Sequence, residues 1–219
     1  MAKEIREPFL GLLALIIVSL GLYGLVRVSS NAAKSNGPLI QSADLGGSDH
    51  YLYAATYLTK AGWSSMLGLN NSQNHPITAR ITLFNKQGRE LNTPAMEITL
   101  GPRQNHGFNI ADWIGNRNGF DQGSLVVFFH GPSMALGVQE IITDAEHSLN
   151  FDVHLTEYDD FKSNRAEGLW WTLEEESEAK VYIANTRDSA SNVTPVFYVR
   201  GESHQGETIN LAGHESAST

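Results

Sequence analysis

The residues able to do chemistry are scattered along the chain. Eight histidines stand at 50, 75, 106, 130, 147, 154, 204 and 214, and none forms a close ligand pair. His154 alternates with Asp152 on one face of an expected strand, where two groups could share a metal. A metal site needs more ligands in a defined geometry, so the pair reads as an exposed polar face. Glu157, Asp159 and Asp160 crowd one turn, and oxygen-rich loops can hold calcium. The D-x-D-x-D-G spacing is missing, so this run reads as a solvated loop between domains. Glu174, Glu175, Glu176 and Glu178 read as a solvated, self-repelling edge. Two carboxylates can cleave a glycoside, but nothing in the spacing selects a pair. No Gly-rich phosphate loop, H-E-x-x-H helix or G-x-S-x-G elbow occurs. The chain has no cysteine, which excludes a thiol nucleophile, a thiolate zinc site and a disulfide framework. The expectation is a non-enzyme without catalytic residues, cofactor or metal.

Four tryptophans are the better candidates for contact with a ligand or partner: Trp63, Trp113, Trp170 and Trp171. Exposed aromatics on a sheet can stack on sugar rings or anchor a protein partner. Adjacent Trp170 and Trp171 would point to opposite faces of a strand, so a single sheet face buries only one of them. The plainer reading is core or interdomain packing, because tryptophan buries a large area.

The elements that must position these residues begin with an apolar run. Phe9 to Val26 reads FLGLLALIIVSLGLYGLV, 18 positions without a charge. As a helix it would span roughly 27 Å, close to the thickness of a bilayer's hydrocarbon core. The run predicts a single-pass anchor over 1–28, with Tyr23 near an interface. A cleaved signal peptide is the alternative, with Ser30-Asn31-Ala32 as the small-residue site. Arg27 and the length of the apolar run argue for retention. Lys3 and Arg6 precede the run while Arg27 and Lys34 follow it, so the positive-inside count is nearly tied. A short N-terminal tail and a large polar body favour a body facing the periplasm or the cell exterior of a bacterium.

Residues 29–48 are small, polar and turn-rich and predict a flexible tether. Without Lys3, Arg6, Arg27, Glu4 and Glu7, the rest of the chain keeps 12 basic and 22 acidic residues. That field repels nucleic acid and anionic headgroups.

Strand patterns then follow at short intervals: 52–58, 63–69, 77–84, 96–100, 106–110, 125–130, 135–142 and 151–155. Ile77, Ala79, Ile81 and Leu83 share one face, and Thr78, Arg80 and Thr82 the other. Asn85-Lys86-Gln87-Gly88 supplies a turn. Val126 to Phe129 is apolar on both faces, as in a strand covered twice. Ala111 to Ile114 predicts one helical turn. The fold class is all-β, an antiparallel β-sandwich over 49–160.

The chain also echoes itself. Leu69-Asn70-Asn71-Ser72 precedes the strand at Ile77, and Ile183-Ala184-Asn185-Thr186 precedes a strand through Val193. Glu97-Ile98-Thr99-Leu100-Gly101-Pro102 matches Thr208-Ile209-Asn210-Leu211-Ala212-Gly213. The offset drifts from 114 to 111 residues, as a change in loop length would cause. This predicts a second, partial repeat over 161–219. It lacks the strands that follow Pro102 in the first copy, so half a sandwich is left with open edges. A truncated frame, a partner chain, or packing on the first domain would resolve this, the first being the favoured expectation.

The Leu-x-Asn-Asn/Thr-Ser/Thr entry, the Ile-Thr-Ala-Arg-Ile-Thr-Leu-Phe strand, the Asn-Lys-Gln-Gly turn and the Ile-Thr-Leu-Gly-Pro corner carry a resemblance. The chain resembles largely uncharacterised bacterial extracytoplasmic β-sandwich (immunoglobulin-like) repeat proteins with an N-terminal membrane anchor. The likeness covers most of 60–160 and about 175–215. It implies a structural module and transfers no catalytic residue. The second copy departs from the pattern at the proline. The leading expectation is a membrane-anchored, non-enzymatic envelope protein for scaffolding, adhesion or protein binding. A surface carbohydrate-binding module and a membrane-bound hydrolase are the alternatives.

Overall fold

A computed structural model describes residues 25–29, 47–91, 95–157, 165–166, 180–199 and 201–219. The central body is antiparallel throughout. Nine strands build it: β2 (Ser48–Leu58), β3 (Trp63–Asn71), β4 (Ile77–Asn85), β5 (Met96–Leu100), β6 (Asn105–Asn109), β7 (Gln122–Gly131), β8 (Leu136–Asp144), β9 (Leu149–Val153) and β10 (Thr156–Glu157). One sheet runs β10-β2-β7-β4-β5, and the other runs β6-β3-β8-β9. Side chains from both sheets meet in one core, with Tyr57, Ile81, Leu83, Leu125, Val127 and Phe129 from the first and Leu67, Leu69 and Leu136 from the second. The fold is all-β and sandwich-like.

The two-residue period explains the geometry. Along β4, Ile77, Ala79, Ile81 and Leu83 are buried, while Thr78 is exposed and Arg80 and Thr82 are half-covered. β7 is central, between β2 and β4. Its expected coverage on both faces is only partly realised: Val126 and Phe128 are half-buried, Phe128 lying under Tyr51 at 5.0 Å between ring centroids. The expected helical turn is α1 (Ile110–Ile114), capped by Asn109, whose side chain accepts the Ala111 N–H at 2.8 Å.

The remaining strands are β1 (Leu25–Ser29), β11 (Arg165–Ala166), β12 (Tyr182–Ala184), β13 (Ser191–Val199), β14 (Glu202–Gln205), β15 (Ile209–Leu211) and β16 (Ser216–Ser218). Here the internal echo becomes geometry. Asn71 donates its side-chain amide to the carbonyls of His75, Leu100 and Gly101, and accepts the Gln73 N–H. Asn185 donates to the carbonyls of Ser189, Leu211 and Ala212, and accepts the Arg187 N–H. The partners correspond one for one at the offsets read from the sequence. Arg103 N–H bonds Gln73 O, as His214 N–H bonds Arg187 O. Both Arg103 and His214 have positive φ, 56° and 57°. Gln104 accepts the Gly101 N–H at 2.7 Å, as Glu215 accepts the Ala212 N–H at 2.7 Å. Strand register follows suit: Thr78 faces Thr99 in β4–β5, and Asn192 faces Asn210 in β13–β15.

The open edge expected for the second copy is occupied. In the first copy, β7 runs antiparallel beside β4, with Phe129 opposite Ala79. In the second, β1 runs antiparallel beside β13, with Val28 opposite Val193, the counterpart of Ala79. Leu25 and Val26, the last two residues of the run read as a membrane helix, are therefore strand. β-Branched valines at 26 and 28 suit an extended backbone. The rest of that run, and 30–46 of the tether, lie outside the described residues. Among the described residues, no helix is long and apolar enough to cross a membrane.

Candidate functional site

Among the described residues, three polar constellations and one joint are the places where this chain could act. The first joins Ser48, His50 and Glu157. Ser48 and His50 share a face of β2, two residues apart. β10 pairs with β2 and brings up Glu157 opposite Leu52. Ser48 Oγ lies 2.9 Å from His50 Nε2, and His50 Nδ1 meets Glu157 Oε1. The order serine, imidazole, carboxylate is that of a nucleophilic relay. One contact opposes that use. His50 Nε2 also lies 3.0 Å from the Gly131 carbonyl oxygen. A carbonyl only accepts, so the short contact calls for a proton on Nε2, and a protonated nitrogen cannot take one from Ser48. The ring is also buried, stacked on Phe129 at 4.7 Å and 15°. The arrangement ties the ends of β2, β7 and β10 together.

The second is Glu140 on β8. Its side chain lies inside the sandwich with no exposed surface, in phase with Leu136 and Ile142. Neither carboxyl oxygen has a hydrogen-bond partner in normal geometry, and the buried Tyr57 hydroxyl has none either. Burial pushes the Glu140 carboxyl up to about 8. The nearby Ser65 hydroxyl pulls it partly back, its oxygen meanwhile accepting the Leu58 N–H at 2.9 Å. Burial likewise raises the Tyr57 phenol, with Asp121 and Glu140 adding to the rise.

The third is the β8–β9 turn. Asp144 accepts the Glu146 N–H at 3.0 Å and pairs with His147 Nδ1 at 2.6 Å. The hydrogen bond between them lowers the Asp144 carboxyl and raises the His147 imidazole. In Asp144→Asn the His147 ring is expected to titrate at a lower pH than in the parent, a shift read directly from its ring-proton resonances. An unchanged midpoint would show that the pair does not form in solution.

The joint lies between the β4–β5 turn and the corner before β16. Asn85 shapes the turn by accepting the N–H groups of Gln87 and Arg89 at 3.1 and 2.9 Å. The Ser216 N–H donates to Lys86 O at 3.0 Å, and Gln87 bridges to Glu215. The His214 ring stacks flat on Phe84, 4.2 Å between centroids and 8° between planes. Its Nε2 lies 2.8 Å from Asp188 Oδ1, which holds the ring in place. Gly88 has φ 75°, and a Cβ there would lie 2.1 Å from Gly213 O. Only glycine fits so close an approach at that φ. Gly88→Ala is expected to weaken the joint by about 2–4 kcal/mol from strain and displacement. Hydrogen exchange would show the Ser216 amide losing protection while the β4–β7 ladder keeps its own.

The two described tryptophans pack on different partners. Trp63, half-buried, stacks on Phe151 at 5.6 Å. Trp113, also half-buried, meets Phe108 edge-on at 6.3 Å and packs against the core. Each leans on its own neighbour. Trp170 and Trp171 lie outside the described residues, as do Asp159, Asp160, Glu174, Glu175, Glu176 and Glu178. Asp152 is exposed and accepts from Gln139 at 3.2 Å, and His154 is exposed beyond the end of β9. Among the described residues, no group of three or more histidines or carboxylates could hold a metal ion.

Sequence reading missed the roles of His50 and Glu140 and the exposure of Tyr198. Glu140 could have been found, since it sits on the apolar phase of its strand. Tyr198 could also have been found, because the 114-residue offset places it on Phe84. The approach of Glu157 to His50 is long-range and leaves no local signal. No protein-family model, curated protein or solved structure matches the chain.

Proposed function

We propose that the chain is a membrane-anchored, non-enzymatic β-sandwich protein of the bacterial envelope, built from one complete and one partial tandem repeat and used as a scaffold or for protein binding. The observation that carries this reading is the Asn71 corner and its second copy at Asn185. The element the chain duplicates is a structural corner, held by side chain–backbone hydrogen bonds, and its second copy is seated on a neighbouring turn. Its most elaborate polar groups stabilise backbone. His50 ties three strands, Asp144 shapes a turn, and the two asparagines hold corners. Tandem sandwiches joined turn to corner suit spacing and assembly at a surface, and the acidic body stays clear of anionic headgroups. The anchor rests on the apolar sequence from Phe9 to Gly24, ahead of β1, and the outward-facing body on the short tail before it.

The test is fractionation of cells making the full chain. It should remain with the bilayer after alkaline carbonate washing, and external protease should digest the body once the outer layers are opened. A body that stays protected with the cytosol, or a chain released by carbonate, would overturn the proposal.

A further inference from the structure

Tyr198 is the most exposed large aromatic among the described residues, at 59%. By the repeat offset its counterpart is Phe84, which is 9% exposed because His214 covers it. The same imbalance holds at the corners. In the second copy, Gly213, His214 and Glu215 are half-covered and Ser216 is buried beneath the Lys86–Gly88 turn. In the first copy, Pro102, Arg103, Gln104 and Asn105 are all exposed. One copy therefore has a covered aromatic and an open corner; the other has an open aromatic and a covered corner. Gly201, at the tip of the β13–β14 hairpin, completes the comparison: φ is 87°, with nothing within 4 Å of a Cβ, whereas Gly88 is in tight contact.

We propose that copies of this chain associate head to tail, the β13–β14 hairpin of one copy seating on the Pro102–Asn105 corner of the next, with Arg103 stacked on Tyr198. This repeats between molecules the joint already present within one. Arg103 occupies the place of His214 with the same positive φ. Its Nε donates to Asn74 Oδ1 at 3.0 Å, as the His214 ring pairs with Asp188. The guanidinium is thus held at the site from which the imidazole covers Phe84. A planar cation over a phenol ring is an attractive pair in its own right. Pro102 replaces Gly213, whose carbonyl oxygen is the atom closest to where a Cβ on Gly88 would lie, and proline retains that carbonyl. The hairpin tip is shorter than the Asn85–Arg89 turn, so the seat shifts locally while the ring-on-cation contact remains. The two surfaces differ, so the contact is heterologous and each added copy leaves one of each surface free.

The proposal gives the scaffold reading a mode of assembly, and its test is independent of membrane location. The mass of full-length protein in detergent micelles is followed by light scattering as concentration rises. It should grow beyond a single copy without a fixed end point. Tyr198→Ala and Arg103→Glu, both at exposed positions, should each weaken association by roughly tenfold. Arg103→His, which installs the residue of the other corner, should retain it. Circular dichroism confirms that the variants fold. Mixing Tyr198→Ala with Arg103→Glu chains should restore a capped dimer, since each supplies one intact surface. A single copy at every concentration, or association indifferent to both substitutions, would overturn the proposal. So would a mixture that behaves like its components.

Discussion

Replacing Glu140 with leucine is expected to make the protein more stable at pH 8 and to flatten its pH dependence. The carboxyl has an ordinary value of 4.5 and is raised to about 8 in the folded core. A raised acid contributes its stability in full below about pH 4.5, where both states are protonated. Between there and about pH 8 the unfolded chain ionises and the folded one does not. Stability then falls by about 1.4 kcal/mol per pH unit, for a total of roughly 5 kcal/mol. Above that range both states are ionised and the curve is flat. Leucine removes this term and breaks no hydrogen bond, since neither carboxyl oxygen of Glu140 has a partner in normal geometry. At pH 8, where the folded carboxyl is half ionised, the net gain is about 4 kcal/mol. Urea unfolding across this pH range checks the prediction. A wild-type curve that stays level from mildly acidic to mildly basic pH would refute it.

The second large effect belongs to the asparagine corners. Asn71→Ala removes three donated bonds and one accepted bond at a site only 1% exposed. It leaves carbonyls of the loop before β4 and of the β5 corner without their donor. Each buried orphan costs about 1–3 kcal/mol, and water can reach only some of them. The expected loss is about 4 kcal/mol, a large share of a domain's usual 5–15 kcal/mol. Asn71→Asp should not rescue it, because a carboxylate has no N–H and would face carbonyl oxygens. Asn185→Ala should act locally. Residues 181–219 are expected to lose hydrogen-exchange protection, while the body from Ser48 to Glu157 keeps its own and unfolds in urea at nearly the wild-type midpoint.

The strand-by-strand plan of the body was legible because its alternation is local. Ile77 to Phe84 alternates through every residue but the last, and Met96–Leu100 came out with both bounds as read. The repeat was legible because the two copies keep the same residue at the one position, Asn71 and Asn185, where no other side chain makes these four contacts. What the joint does was not legible. His214 reads as an isolated histidine until the fold lays it on Phe84, more than a hundred residues earlier in the chain. The filling of the β13 edge by Leu25–Ser29 was hidden by composition. Leu25 and Val26 continue a run apolar enough for a lipid environment, and that signal outweighs the short β-branched pattern that pairs with β13. Glu140 was passed over because the strand read from the sequence, Ala135 to Ile142, is apolar enough on either side of this one charge to be recognised as a strand without asking where the charge points.

The account depends most on residues 181–219 forming the same corner as 71–104 and resting on the Lys86–Gly88 turn. Amide exchange of the full chain, resolved by residue, tests this directly. The N–H groups of Asn71 and Arg103 should be protected together with those of Asn185 and His214, and the Ser216 N–H should be protected by Lys86 O. Free exchange at Asn185, His214 and Ser216 alongside a protected first corner would contradict it.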